Sequence, residues 1–360
     1  MKKLIFALLF FSHLAGASFV IPNGAVTPPK LAFGSYNLMS NCSFSASASA
    51  GVLTIALKTL DGSALTALSP CRIGFRSATA ATGSFSELTA SSATTLTLSS
   101  GSTLGAVNDV PFRLWLVAVN DGGTLRLGVI NTLSSSLEIF PVNDHDLISS
   151  TSEGGGGGAD LVQTYYTQGG AVTTKAMRIL GWLEWGSGLS AIGTWVVPTK
   201  VSLFGPGMPR PGDIIQTRRN SSSSSATGTT TIPLDDTIPT SSEGTQFFTQ
   251  AITPTSSANL LRIQTKIHYS TSTGGAHGIE ALFQDSGGSA IAVNGTRADS
   301  AVMGTSNMDY LMLASTTSST TFKVRMGGNT ATTVTVNGSS GSRKYGGTSN
   351  SWMGVTEIMR

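Results

Sequence analysis

Hydrophobic residues alternate with small or polar ones along much of this chain, as they do in β-strands that bury one face. Leu53, Ile55 and Leu57 follow this pattern, and residues 125–129 repeat it. Residues 112–119 are apolar on both faces, which predicts a central strand that is covered on both sides. We find no amphipathic helix of convincing length, so the pattern predicts an all-β domain over residues 36–204.

A second run of alternating segments fills residues 226–360. Ile263, Ile267 and Tyr269 share one face of a predicted strand, and polar side chains occupy the other. Residues 322–326 and 334–336 repeat the alternation. Roughly eight such runs, separated by turn signals, predict a β-sandwich or jelly roll. Between the two domains, residues 205–225 are rich in Gly, Pro and Ser and are predicted to form a hinge.

Two further segments precede the first domain. Residues 1–17 resemble a secretory signal, with Lys2 and Lys3, an apolar stretch over 4–11 and small residues at the expected cleavage site after Ala17. An uncleaved anchor, or an upstream start fused to the protein, would give the same pattern. Residues 18–35 hold three prolines and are predicted to form an extended attachment arm. No later segment reaches the roughly 18 apolar residues of a membrane helix, so no integral membrane segment is predicted.

Charged residues are scarce, at 11% of the chain, whereas typical domains have about 25%. Hydroxyl-rich faces and burial between subunits are the expected substitutes for charged solvation, which favours an assembly protein. The 22 basic and 19 acidic residues are nearly balanced, and Arg218 and Arg219 have no basic or aromatic neighbours. A nucleic-acid partner is therefore not predicted, because it needs a concentrated basic face.

The two cysteines, Cys42 and Cys71, allow two interpretations. In an oxidising compartment they would form a disulfide, and in a cytoplasm they would be small buried apolar residues. Two cysteines alone cannot hold a structural zinc ion, so no metal site is predicted from them.

The groups that could carry chemistry are few. His145 between two aspartates could belong to a metal loop, but a hydrogen-bonded turn is favoured since calcium needs six to eight oxygen ligands. The pair Asp235–Asp236 points to opposite faces of an extended chain and is interpreted as structural. His268 and His277 are predicted to be exposed. These observations predict no catalytic residues, no cofactor and no enzymatic activity.

Two weaker signals concern carbohydrate. Trp182 and Trp185 could form an exposed platform for sugar stacking, although tryptophans more often fill cores or subunit contacts. Asn41, Asn220 and two later asparagines, Asn294 and Asn337, match the glycosylation acceptor pattern. In a chain so rich in serine such matches arise by chance.

Three groups of segments resemble bacteriophage tail-fibre or virion appendage proteins. They are the lead IPNGAVTPPKLA over 21–32, the middle segments FRSATAATG (75–83), LGV (127–129), ILG (179–181) and LFGPG (203–207), and the C-terminal segments IPLDDTIP (232–239), AITP (251–254), YGG (345–347) and VTEI (355–358). Each motif is of low complexity, and their order makes the resemblance more specific.

The resemblance implies an elongated homotrimer with an N-terminal end that docks on other tail or capsid proteins of the virion. It implies a C-terminal jelly roll that contacts a glycan or protein of the host surface, and it supplies no catalytic residues. The signal-like residues 1–17 depart from the pattern, because phage fibres assemble in the host cytoplasm. A secreted bacterial surface adhesin or fibril subunit is the alternative, and a polysaccharide depolymerase is a further rival.

Overall fold

The computed structural model describes residues 39–77, 85–133, 137–153 and 160–360. Within these ranges it contains 25 β-strands, and the only helical element is the short 3-10 turn Tyr345–Gly347. The prediction of an all-β fold is therefore confirmed. The predicted signal (1–17), the attachment arm (18–35) and the glycine run (154–158) lie outside the described residues.

The strands fall into an N-terminal part, β1–β13, and a C-terminal sandwich, β14–β25. The N-terminal strands are β1 (Met39–Ser40), β2 (Ser43–Ser49), β3 (Val52–Lys58), β4 (Cys71–Arg76), β5 (Phe85–Ala90), β6 (Thr95–Leu98), β7 (Phe112–Asp121), β8 (Thr124–Asn131), β9 (His145–Ile148), β10 (Thr151–Ser152), β11 (Tyr165–Thr167), β12 (Lys175–Trp185) and β13 (Lys200–Leu203). The C-terminal strands are β14 (Ile214–Ser222), β15 (Ala226–Gly228), β16 (Thr245–Ile252), β17 (Leu260–Thr271), β18 (His277–Gln284), β19 (Ala292–Arg297), β20 (Gly304–Leu313), β21 (Thr320–Gly328), β22 (Val334–Val336), β23 (Gly338–Ser339), β24 (Ser342–Arg343) and β25 (Ser351–Ile358).

The N-terminal part is built around β7. Its largest sheet has the order β10-β11-β8-β7-β12-β13, and β9 pairs with β12. Two three-stranded sheets, β1-β4-β5 and β2-β3-β6, complete this part. Leu114 and Leu116 of β7 enter one apolar cluster, whereas Trp115 and Val117 enter another. The predicted two-sided burial of this strand is confirmed, because apolar side chains cover both faces of a central strand.

Two sheets form the C-terminal sandwich. The larger runs β14-β25-β17-β22-β15, with β20 paired along β17, and the smaller runs β16-β21-β18-β19. Ile263 and Ile267 from the larger sheet meet Phe322 and Val324 from the smaller one in a shared core. The alternation predicted for these segments is confirmed, since exposed or half-buried residues occupy the intervening positions.

The segment predicted as a hinge contains regular structure. Residues 205–213 form turns, whereas β14 pairs with β25 along its whole length. Near the C-terminus, Met359 packs in the apolar cluster of Trp115 in the N-terminal part. The backbone oxygen of Met359 accepts the N–H of Gly212 at 2.8 Å. This part of the predicted hinge is therefore a strand that is anchored by long-range pairing.

No helix among the described residues is long and apolar enough to cross a membrane.

Candidate functional site

The two cysteines form a disulfide. Cys42 and Cys71 have Sγ atoms 2.08 Å apart and Cα atoms 4.7 Å apart. The pairing of β1 with β4 brings them together, because it places Ser40 beside Arg72. The bond closes a loop between residues 29 positions apart.

Trp182 and Trp185 are core residues. They are 3% and 1% exposed, so the alternative of a sugar-stacking platform at these positions is wrong. Trp185 stacks on Phe112 with ring centroids 4.8 Å apart, and Trp195 meets it edge-on at 5.6 Å. Since both strands of this pair, β7 and β12, are covered on both faces, their aromatic residues fill the interior.

Beside these rings lies a buried group that we call the central polar cluster: Arg113, Glu184, Ser256, Asn259 and Glu357. Arg113 donates from Nε and Nη2 to Glu184 Oε2, at 3.1 and 2.6 Å, and from Nη1 to the backbone oxygen of Arg360 at 2.6 Å. Its Nη2 also reaches Ser256 Oγ and Asn259 Oδ1. All five members are at least nine-tenths buried.

The central polar cluster joins the N-terminal part to the C-terminal sandwich. Ser256 donates to Glu184 Oε1 at 2.8 Å, and Asn259 donates to Glu357 Oε1 at 2.7 Å. Burial lowers the pKa of Arg113, and the adjacent Glu184 carboxylate opposes that shift. A buried ion pair survives only when hydrogen bonds satisfy both ions, as they do here. The cluster is thus a cross-link without a free reactive group.

Asp235 and His145 are each engaged by a residue close to them in the sequence. Asp235 accepts the N–H of Thr237 at 3.0 Å and its hydroxyl at 2.5 Å, which lowers the pKa of Asp235, so this aspartate stabilises a turn as expected. His145 begins β9, with Nδ1 3.1 Å from Asp144 Oδ1. In the described ranges no three His, Cys, Asp or Glu side chains are grouped in a way that could hold a metal ion.

His268 and His277 are half-buried, so the prediction that they are exposed is wrong. His268 Nδ1 lies 2.9 Å from Thr305 Oγ1, and burial lowers the pKa of this imidazole.

All four asparagines of the glycosylation pattern use their side-chain amides inside the fold. The acceptors are Ser69 Oγ and Pro70 O for Asn41, Thr249 O for Asn220, Ser306 Oγ and Asn307 O for Asn294, and Ser222 O and Ser224 O for Asn337. Each amide nitrogen is therefore engaged as a donor within the fold.

A cavity of about 400 Å³ opens near the disulfide. Its walls include Arg178, Asp144, Arg210 and Phe204. Arg178 donates from Nε to Gly74 O at 2.9 Å and from Nη1 to Asp144 O at 3.2 Å, and Arg210 lies over the Phe204 ring at 5.6 Å. The charged groups of this cavity thus connect its walls to one another.

The outer face of the larger C-terminal sheet carries a half-buried tryptophan among exposed charged side chains. We call it the Trp352 face and define it by Arg219 on β14, Trp352 and Gly354 on β25, Lys266 on β17 and Asp309 on β20. The Arg219 guanidinium lies over the Trp352 ring, 4.4 Å from its centroid. Trp352 is half-buried, whereas the four other tryptophans are buried.

The strand registers assemble the Trp352 face. Lys266 is opposite Trp352, and Arg219 is opposite Gly354. Sequence analysis singled out Arg219 only as part of an isolated basic pair and missed Trp352. The alternation of Trp352 with the core residues Met353 and Val355 was the available signal, because it places the indole on the outer face.

No protein-family model and no curated protein matches this chain. Weak matches to solved structures include infectious bursal disease virus, Gx strain, at 10% identity over 89% of this chain and 77% of that chain, with a TM-score of 0.26. The VP2 subviral particle of the same virus matches at 10% identity over 89% and 75%, with a TM-score of 0.23. The Bacillus thuringiensis delta-endotoxin Cry8Ea1 matches at 11% identity over 89% and 52%, with a TM-score of 0.18. Superpositions this poor carry no argument about function.

Proposed function

We propose that this chain is a non-enzymatic structural protein of a virion, in the manner of a tail fibre or other appendage. The observation that carries this proposal is the use of its buried ions. Arg113 and Glu184 tie the N-terminal part to the C-terminal sandwich, and Glu280 ties β17 and β20 to β18 by accepting from Thr265 and Ser306. Such cross-links favour a rigid building unit over a catalytic centre.

The edges of the C-terminal sandwich support the same proposal. Three carbonyl groups along and just after β16 accept side-chain amides: Thr249 O from Asn220, Ala251 O from Gln250 and Thr253 O from Gln216. Open strand edges invite uncontrolled pairing between chains, and filled acceptors prevent it. A protein that is packed in many copies on a particle needs this protection.

The proposed assembly is a homotrimer whose N-terminal end docks on the virion and whose C-terminal sandwich faces the host surface. Exposed apolar side chains such as Leu234, Ile238 and Val302 are available for contacts between copies. Light scattering after size exclusion should give three times the monomer mass, and negative-stain images should show a three-fold rod with a distal knob. A globular monomer would contradict this assembly.

The absence of enzymatic activity is tested separately. Purified protein incubated with capsular polysaccharide from a susceptible host should leave the polymer length unchanged. Any shortening, seen by size exclusion of the polysaccharide, would contradict the non-enzymatic proposal and favour a depolymerase.

The Cys42–Cys71 disulfide favours a second candidate, a secreted surface adhesin. Disulfides persist in oxidising compartments and are rare in the cytosol, where phage particles assemble. Mass spectrometry of the mature protein decides between the two candidates. A chain that starts at Ser18 would support export, whereas an intact Met1 in purified particles would support the virion proposal.

A further inference from the structure

We propose that the Trp352 face binds an acidic polysaccharide, with its carboxylates held by Arg219 and Lys266 and its sugar rings placed against Trp352. This inference rests on the proposed function, in which the C-terminal sandwich faces the host surface. It assigns the contact to one side of one sheet and gives the ligand a chemical class.

Two neighbours hold the aromatic element of the face in place. A Cβ atom on Gly354 would lie 3.4 Å from the Trp352 ring, so the indole lies close over this backbone position. The Arg219 guanidinium lies over the ring at 4.4 Å from its centroid. A guanidinium stacked on an indole is pre-organised, because its planar donors keep a fixed direction.

The free cations of the face determine the sign of the charge that the ligand carries. Within the described residues, neither the Arg219 guanidinium nor the Lys266 ammonium takes part in a hydrogen bond or an ion pair. Arg262, on the same face, is already paired with Asp309. The face therefore keeps an excess of positive charge around an aromatic ring, which complements a carboxylate-bearing polymer.

The remaining groups favour a glycan over single-stranded nucleic acid. Gln264, Asn307 and Thr356 occupy the same outer positions as Lys266 and Trp352, and their amides and hydroxyl can bond sugar hydroxyls. A nucleic-acid groove combines a continuous basic track with several stacking rings. Here the face offers two free cations, one tryptophan and the Arg262–Asp309 ion pair, which make neither a continuous basic track nor a row of stacking rings.

Binding is measured on the immobilised full-length protein by biolayer interferometry, with polygalacturonate as the acidic probe, dextran as the neutral one and oligo(dT) as the nucleic-acid one. The face variant is Arg219→Ala/Lys266→Ser. The matched control is Arg297→Ala/Lys200→Ser, which removes the same charges elsewhere: Arg297 is 72% exposed on β19 of the smaller sheet, and Lys200 is exposed in the N-terminal part. Thermal unfolding verifies that both variants fold like the wild type.

We expect the wild type to bind polygalacturonate and not dextran, and the face variant to lose about tenfold in affinity, which is about 1.4 kcal/mol. The control variant should change by less than about twofold, as is usual for a distant surface charge. Equal losses in both variants, no binding of polygalacturonate, or tighter binding of oligo(dT) would each overturn the proposal.

The test is independent of the oligomeric state, which light scattering measures on the same samples. A monomer that binds polygalacturonate through this face would overturn the trimer and keep the binding site. A trimer that does not bind polygalacturonate would overturn the proposed binding site and leave the trimer proposal standing.

Discussion

Removal of the Arg113 side-chain charge should destabilise the whole molecule. The variant Arg113→Met keeps much of the side-chain volume but leaves the Glu184 carboxylate buried without its counter-ion. Both side chains are almost inaccessible, at 2% and 6% exposure, and breaking such a pair costs about 3–5 kcal/mol. We expect the free energy of unfolding to fall by that amount.

Urea unfolding followed by tryptophan fluorescence measures this loss. Trp115, Trp182, Trp185 and Trp195 are buried near the substituted position, so their emission reports the exposure of this core. The control is Arg72→Met, which breaks an exposed ion pair with Glu87 and should cost less than about 1 kcal/mol.

The double variant Arg113→Met/Glu184→Leu separates the contribution of the pair from other effects. Because it removes both ions, it should be less destabilised than the sum of the two single variants, as coupled sites are in a double-mutant cycle. Strict additivity, or a loss for Arg113→Met no larger than that of Arg72→Met, would refute the role assigned to the central polar cluster.

Three further predictions concern other buried groups. Burial raises the pKa of Glu280 above its usual 4.5, so the folded state binds this proton more tightly than the unfolded state does. Stability should therefore fall as the pH rises from about 4.5 through the folded-state pKa. Glu280→Gln should be more stable than the wild type at pH 7 in urea titrations, and a stability advantage of the variant that grows toward acid pH would contradict this. Reduction of the Cys42–Cys71 bond should lower the free energy of unfolding by about 3–4 kcal/mol, as expected for its loop length. Urea unfolding with and without reductant measures this loss, and an unchanged unfolding midpoint would show that the bond does not stabilise the protein. Gly181→Ala should lower the melting temperature, because the new methyl group would lie 2.6 Å from the Phe44 ring and closer still to the backbone of β13. A melting temperature equal to that of the wild type would disprove this close packing.

The sequence predicted strands best where one face is buried and the other is exposed. In β3 and β17 the period-2 pattern is regular, so the strand and its core-facing residues could be read directly. In β14 every residue is exposed or half-buried, since the strand lies at the edge of its sheet. Its polar composition then resembled a hinge, because nothing local distinguishes an edge strand from a loop.

The candidate site could not be predicted because long-range pairing creates it. Arg219 and Trp352 lie on neighbouring strands that are far apart in the sequence, and Lys266 joins them from a third strand. Register decides which side chains share a face, and a shift of one residue would move all of them to the core. Local patterns identify neither the partner strand nor its register. Similarly, the sequence left the pairing of Cys42 with Cys71 open, because disulfide geometry depends on strands brought together in space.

Charged residues are few in this chain, and several of the acidic ones are buried between strands. Glu153 binds the backbone and hydroxyl of Ser99, Glu280 binds two hydroxyls, and Glu357 binds groups from β14 and from the segment before β17. These carboxylates form cross-links between segments of the fold, and a buried charge without such partners would lower the stability of the folded state. In the described part of the chain, Arg219 and Lys266 differ from these buried carboxylates, because they are exposed and lie on either side of the half-buried Trp352. This position is the one that the proposed recognition of an acidic polysaccharide uses.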